Sequence, residues 1–273
     1  GLPSVLFTDI PSPDLATRFA GCRGVGIATT ARSHDPTWMA QNLPALFGWL
    51  DALRAPILHY KICSTFDSTD AGNIGPVMDA LRADSKDSIV LVTPAFPETG
   101  RTVYQGNLFV GSVPLNESPL KDHPLNPMHD SNLVRVLARQ SQTKIGLVDL
   151  ATLARGAEAV RAKLADLARG GIGAAIVDAV FDRDLETIGQ VALDHRLSVG
   201  ASGIGLGLAR ALVATGKAKS AVGEAISTAA IGGPAACLAG SCSQATLRQI
   251  AGAEKVMPVL HLDPERVIAG KDE

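Results

Sequence analysis

The sequence predicts an α/β fold: a mostly parallel, Rossmann-like sheet with flanking helices, followed by the start of a second α/β domain. Three observations carry that prediction. Short β-rich runs alternate with amphipathic stretches, which is the pattern of βαβ units. Hydrophobic residues make up 46% of the 273 residues but aromatics only 4%, so Ala, Leu, Val and Gly must form the core. That composition suits helices packed on a parallel sheet better than an aromatic-rich β-sandwich. Charged residues are only 19%, which excludes wholesale disorder, and the length is ample for a buried core.

The strands follow in order: Ser4 to Thr8, Gly24 to Thr29, Ile57 to Lys61, Ser88 to Thr93, Lys144 to Val148, Ala174 to Asp178 and Ser198 to Gly200. Helices fill the intervals. Pro36 to Leu53 follows the capping cluster Ser33-His34-Asp35 and places Pro in its first turn. Gly75 to Ala83, Asn132 to Gln140, Leu150 to Ala168, Leu185 to Arg196 and Leu206 to Thr215 complete the set, with Gly170-Gly171 closing the fourth of these six. From Phe96 to Asp130 the rhythm breaks. This stretch is rich in Pro and Gly, carries a hairpin pattern over Val103 to Val113 around Gly106-Asn107, and gathers Arg101, Glu117, Lys121, Asp122, His123, His129 and Asp130. A loop of that length and polarity inside a compact domain reads as functional.

These signals divide the chain into a main domain over 1–215, a linker of small residues over 216–234 and the beginning of another domain over 235–273. The last segment reads as a strand at Ala235 to Ala239, a turn at Gly240 to Ser243, a helix at Ala245 to Ala251 and a strand at Met257 to Leu262. The chain opens on a strand without an initiator Met, so the main domain is expected to lack its first strand. With 25 basic and 27 acidic residues the net charge is −2, which speaks against a nucleic-acid partner. No apolar run reaches the length of a membrane span, and no signal-peptide pattern opens the chain. Cys22, Cys63, Cys237 and Cys242 show neither zinc spacing nor disulfide density. A cytoplasmic location is expected.

Four clusters could carry chemistry. Lys61-Ile-Cys-Ser64-Thr65-Phe-Asp67-Ser68 runs from the end of a strand towards a helix, where parallel sheets collect ligands. Its ammonium and the helix amides suit a carboxylate or phosphate, and its hydroxyls and Asp67 suit a sugar. Gly100-Arg101-Thr102 offers a guanidinium fork, with His123 and His129-Asp130 downstream. The His123 to Asp130 spacing matches no common ligand pattern, so no metal site is expected there. The glycine run Gly200-Ala-Ser202-Gly203-Ile-Gly205-Leu-Gly207 contains fragments of a dinucleotide fingerprint but lacks its acidic partner, and reads as a tight strand-to-helix turn with Ser202 at its crest. Gly240-Ser241-Cys242-Ser243 is a donor-rich turn suited to a phosphate or adenosine contact.

Lys61-Ile-Cys-Ser-Thr-Phe-Asp-Ser, Asn73-Ile-Gly-Pro, Pro94-Ala-Phe-Pro, Gly100-Arg-Thr, Leu108-Phe-Val-Gly, and His123-Pro-Leu-Asn-Pro-Met with Asp130-Ser-Asn-Leu resemble the four-carbon acid sugar kinase family. Within it they are closer to the branch acting on 3-oxo-tetronate than to the threonate or erythronate kinases. Ser202-Gly203 and Gly240-Ser-Cys-Ser fit the same pattern, so the resemblance spans the chain. It implies an N-terminal domain that holds a four-carbon sugar acid, a C-terminal domain that holds ATP and Mg2+, and transfer of the γ-phosphoryl group to the 4-hydroxyl. Arg32, Lys61 and Arg101 would clamp the carboxylate and sugar oxygens. Ser64, Thr65 and Asp67 would orient the hydroxyls, with Gly100, His123 and Ser202 lining the site, and Ser241 or Ser243 would meet ATP. The family's Asp-Asp-Phe-Thr-Gly-Ala motif, which would supply the catalytic base, has no counterpart here, so no catalytic residue is assigned. The fragment is therefore expected to be inactive alone and able to pair as a homodimer. A non-catalytic sugar-acid or dicarboxylate-binding module is the alternative, and a dehydrogenase built on the glycine run is a poorer one.

Overall fold

Strands that are apolar on both faces bury themselves between helices, and they form the central sheet here. The computed structural model describes residues 2–219, 232–234, 236–240 and 243–270. The chain divides into two compact units, 1–223 and 224–273.

In the first unit β1 (Ser4–Phe7) pairs only with β2 (Gly24–Ile27), both parallel, as a two-stranded sheet. Helix α1 (Pro13–Arg18) connects them, and Phe7 packs edge-on against Phe19 and against Trp49 of α2 (Pro36–Ala52). Asp35 caps α2 by accepting from the Trp38 amide at 2.9 Å. The central sheet holds β3 (Leu58–Lys61), β4 (Val90–Thr93), β8 (Ile145–Val148), β9 (Ala174–Val177) and β10 (Leu197–Gly200), in the spatial order β3-β10-β4-β9-β8 and parallel throughout. Every residue of β4, β9 and β10 is buried. The crossovers are α3 (Ile74–Ser85), α5 (Leu150–Leu153) with α6 (Ala157–Arg169), and α7 (Asp182–Ala192); α8 (Ser202–Ala214) follows β10. The α/β reading with a mostly parallel sheet is thus borne out.

Between β4 and β8 the polar insertion folds as an antiparallel sheet, β5 (Arg101–Tyr104), β6 (Asn107–Val110) and β7 (Val113–Pro114), and then α4 (Leu133–Gln140). The expected hairpin turns at Gln105-Gly106 rather than Gly106-Asn107. Both residues adopt positive φ, 50° and 71°, as a mirror-image hairpin turn demands.

Three expectations are corrected. The single helix over Leu150 to Ala168 is two, because the chain turns at Gly156 with φ 91° before α6 begins. The segment from Leu206 begins one turn earlier, so Gly203, Gly205 and Gly207 lie inside α8, whose first residue is Ser202, while Gly200 ends β10. In the second unit Gln244–Ala253 (α9) and Pro264–Ile268 (α10) are helices. Residues 236–239 and 257–262 are not strands, however, and residue 235 lies outside the described ones. A strand needs a neighbour for its amides, and among the described residues of that unit there is none.

Two of the three glycines of α8, Gly203 and Gly207, serve packing, and Gly205 faces open space. A Cβ on Gly207 would strike the Leu185 carbonyl, one on Gly189 of α7 would strike the Gly207 backbone, and one on Gly203 would strike the Ala95 carbonyl. Helices α7 and α8 therefore meet backbone to backbone. Gly207→Ala is expected to destabilise the fold by about 2 kcal/mol or more, read as a lower midpoint in urea. An unchanged midpoint would show that the contact is not that close.

His59 in β3 lies beside Ser198 of β10, its Nδ1 3.0 Å from the hydroxyl, while its buried Nε2 has no partner. Burial pushes the imidazole from 6.5 down to about 4. Folded His59 thus stays neutral where the unfolded chain takes up a proton, so stability falls as pH drops from about 6.5 to about 4. His195 shifts in the same direction, again through burial, so the wild-type comparison isolates His59. His59→Gln is expected to flatten the pH dependence of the denaturation midpoint across this window, and an unchanged slope would refute the assignment.

Candidate functional site

The carboxyl-terminal edge of the central sheet is built by register. Gly200 pairs with Lys61 on one side and with Thr93 on the other. At roughly 4.8 Å between strands, the three main chains form one row. The Ile62 amide donates to the Gly200 carbonyl at 2.9 Å, and the Ala201 amide donates to the Thr93 carbonyl at 3.1 Å. The chain leaves this row in three directions: into the loop carrying Ser64, Thr65 and Asp67, into the amino terminus of α8 at Ser202, and through Ala95 towards Arg101. Phe96 and Arg101 exchange both main-chain hydrogen bonds, at 2.8 and 3.1 Å, which returns Arg101 to the end of β4.

Lys61 is exposed and makes no ion pair among the described residues, and Ser202 is exposed as well. Arg101 is half-buried. Its Nη1 donates to the Thr99 carbonyl, while its Nε is buried without a partner. Gly100, at φ 72°, turns the chain just before it and accepts from the Gly111 amide at 2.7 Å.

The loop after β3 is organised around an inward carboxylate. Asp67, 2% exposed, receives the Arg32 guanidinium and the Thr65 hydroxyl. Cys63 Sγ lies 3.0 Å from Thr65 Oγ1. With the Thr65 proton directed at Asp67, the thiol is the donor in that contact. Asp67 is therefore turned inward and taken up by Arg32 and Thr65, and Arg32 is already charge-paired. Ser64 is half-buried.

The other expected residues lie apart from this row. His123 Nδ1 accepts from the Leu125 and Asn126 amides at 3.3 and 3.1 Å, which makes it a local loop brace. His129 and Asp130 instead line an open cleft of about 610 Å³ with Ser68, Asp70, Met128 and Arg139. Lys61, Arg101 and Ser202 do not line it. Asp130 takes Arg135 at 2.7 Å and Arg139 at 3.1 Å, and Arg139 also holds Asp70 at 2.7 Å. Burial raises the Asp130 carboxyl, but the bonds from Arg135, the Asn132 amide and Arg139 outweigh it and bring it to about 2. Among the described residues no three His, Cys, Asp or Glu side chains gather to hold a metal, and no helix is long and apolar enough to cross a membrane. Ser243 caps α9 by accepting from the Thr246 amide at 3.2 Å, and Ser241 lies outside the described residues.

Two structural residues escaped the sequence reading. Asp178, fully buried at the end of β9, accepts from the Gln105, Gly106 and Leu150 amides at 2.7, 2.9 and 3.0 Å. Its carboxyl is raised by burial, against the pull of those donors. Gln140 accepts from Ser68 and Gly75. Neither has a sequence signal. Arg135 and Arg139, by contrast, stand one turn apart on α4, a like-charge i, i+4 pair that calls for an acidic partner and could have been read.

Comparison with known proteins adds the following. Residues 1–208 match the sugar-binding N-terminal domain family. A 3-oxo-tetronate kinase of Methylobacterium radiotolerans is 68% identical over 225 residues, covering 82% of this chain and 53% of its own length. Another 3-oxo-tetronate kinase, from Salmonella typhimurium, is 39% identical over 272 residues, covering 99% of this chain and 63% of the relative. The chain therefore spans about half to two thirds of the curated relatives it matches. Of solved structures, one from Salmonella typhimurium superposes with a TM-score of 0.79 at 39% identity, covering 97% of this chain and 61% of that one. One from Haemophilus influenzae gives 0.76 at 35% identity, covering 98% and 63%.

Proposed function

The chain belongs to the sugar-binding N-terminal domain family, and we propose that it forms the substrate-holding part of a kinase that moves the γ-phosphoryl group of ATP to the 4-hydroxyl of 3-oxo-tetronate. The observation that carries this reading is the register that sets Lys61, which makes no ion pair among the described residues, in one row with Gly200 and Thr93, with Arg101 hydrogen-bonded to Phe96 on the chain leaving that row. A small carboxylate on this edge would lie within the field of Lys61 and could take the outer nitrogens of the half-buried Arg101 guanidinium. The names of the kinase relatives supply the substrate class.

In this reading Lys61 and Arg101 hold the carboxylate, and the free amides at the start of α8, beside Ser202, add dipolar attraction for it. Ser64, half-buried, would meet the sugar hydroxyls, with Thr65 and Arg32 held behind it by Asp67. Phosphoryl transfer asks little covalent work of the protein, so positioning the 4-hydroxyl and excluding competing water are what this domain contributes. ATP with Mg2+ supplies the phosphoryl group when bound. Ser243 stands at the amino terminus of a ten-residue helix, a place that fits a phosphate, and Ser241 is the neighbouring alternative. Mg2+ would arrive on the nucleotide's phosphates.

Titration calorimetry of this chain with 3-oxo-tetronate is expected to show binding, and Lys61→Ala and Arg101→Ala are each expected to weaken it tenfold or more. In the full-length protein Lys61→Ala is expected to lose turnover while nucleotide still binds. Equal affinity of wild type and both variants would overturn the site, and binding of threonate or erythronate in preference would reassign the substrate.

A further inference from the structure

We propose that Gln140 is a positioning residue for the sugar-acid site: it locks the loop carrying Ser64, Thr65 and Asp67 to the helix that anchors the Arg101 hairpin. The inference rests on the reading above and adds a residue that touches no ligand.

Helix α4 is tied at both ends. At its start the Leu133 amide donates to the Gly106 carbonyl at 2.8 Å, the Leu108 amide donates to the Ser131 carbonyl at 2.9 Å, and Ser131 donates to Asn107 at 3.2 Å. These bonds join α4 to the hairpin whose first strand begins at Arg101. At its other end the Gln140 Oε1 accepts two donors, the Ser68 hydroxyl at 2.7 Å and the Gly75 amide at 3.0 Å. Eight residues make α4 about 12 Å long, a short rigid strut between the two halves of the site.

Ser68 extends the hold. While its proton goes to Gln140, its oxygen accepts from the Asn73 and Ile74 amides at 3.0 and 3.3 Å, which satisfies the start of α3. Asn73 Nδ2 in turn donates to the Arg32 carbonyl at 2.8 Å. Gln140, Ser68, Asn73 and Arg32 thus form one buried or half-buried chain of hydrogen bonds, ending at the residue that pairs with Asp67. The fit is close: a Cβ on Gly75 would strike the Gln140 carbonyl, and one on Gly72 would strike Ser68 and the Thr69 carbonyl. The loop needs such a hold. Phe66, fully buried, adopts φ 53°, a left-handed conformation that a bulky residue keeps only where its surroundings impose it.

Gln140→Ala removes the double acceptor. Gln140→Glu keeps an oxygen for both donors and places its charge near the α3 amino terminus, where it is tolerated. Calorimetry with 3-oxo-tetronate on this chain, paired with amide hydrogen exchange, tests the inference. Gln140→Ala is expected to raise the Kd at least tenfold and to speed exchange of residues 68–75 by a similar factor, and Gln140→Glu is expected to restore both to within about threefold of wild type. Should Gln140→Ala not fold, Ser68→Ala, which removes the relay hydroxyl alone, is expected to show the same rise in Kd. Wild-type affinity in whichever of these two variants folds, or a Gln140→Glu variant as weak as Gln140→Ala, would overturn the inference and leave the kinase reading standing. Absence of binding by the wild-type chain would instead overturn both.

Discussion

Asp178 is a carboxylate without solvent contact, and three main-chain amides converge on it from two separate segments. The geometry of the sheet edge depends on this convergence. Removing the acceptor would leave those amides to find other partners, at about 1–3 kcal/mol for each that stays buried and unpaired. Because two of them belong to Gln105 and Gly106, the same carboxylate fixes the tip of the hairpin. The reciprocal bonds between Val103 and Ala179, at 2.9 and 3.0 Å, then align β5 with the chain leaving β9. Arg101 begins that strand, so its place on the edge follows from a group three strands away from Lys61. The third amide, from Leu150, seats α5 on the same end of the sheet. An insertion that the sequence presents as an irregular polar stretch is thereby as firmly referenced to the core as the strands themselves.

The basic groups of the row and of the neighbouring cleft differ in what already neutralises them. Arg32 is paired with Asp67, and Arg135 and Arg139 are paired with Asp130 and Asp70. Lys61 has no ion pair among the described residues, and the guanidinium of Arg101 meets only a carbonyl. An incoming anion would be drawn to the groups whose charge remains uncompensated, since a paired cation must first lose its partner. The basic group of the open cleft, Arg139, is already occupied by Asp70 and Asp130.

The alternation of strand and helix was legible because it rests on periodicity, and the strands of the central sheet begin and end within two residues of where the pattern puts them. The Lys61-to-Asp67 loop was legible too, since polar residues crowding a strand end have few purely structural uses. Asp178 and Gln140 were not. A carboxylate closing a strand and an amide closing a helix look in sequence like ordinary boundary residues, and their value comes from amides contributed 28 and 65 residues away. The break at Gly156 was hidden because Leu150 to Ala168 is apolar at helical spacing throughout, and a single glycine inside such a pattern does not announce a positive φ. Residues 236–239 and 257–262 read as strands from their composition, but composition supplies no partner strand.

The glycine run after β10 shows how one sequence signal can serve two physical ends. Close spacing of glycines at a strand-to-helix junction suits a backbone that must approach a nucleotide, and it suits equally a helix that must approach another backbone. Here the contacts decide. Gly203 rests on the Ala95 carbonyl, Gly207 on the Leu185 carbonyl, and Gly189 faces Gly207. Gly203 and Gly207 are thus used in packing α8 against α7 and against the chain leaving β4, while Gly205 meets nothing. The consequence reaches the site nonetheless. Seating Gly203 on Ala95 places the first turn of α8, with the exposed Ser202, next to the segment that leads to Arg101, and Gly200 beside Lys61 holds its other flank. The glycines thus bring a helix terminus to an edge where Lys61 and Arg101, neither in an ion pair among the described residues, also stand.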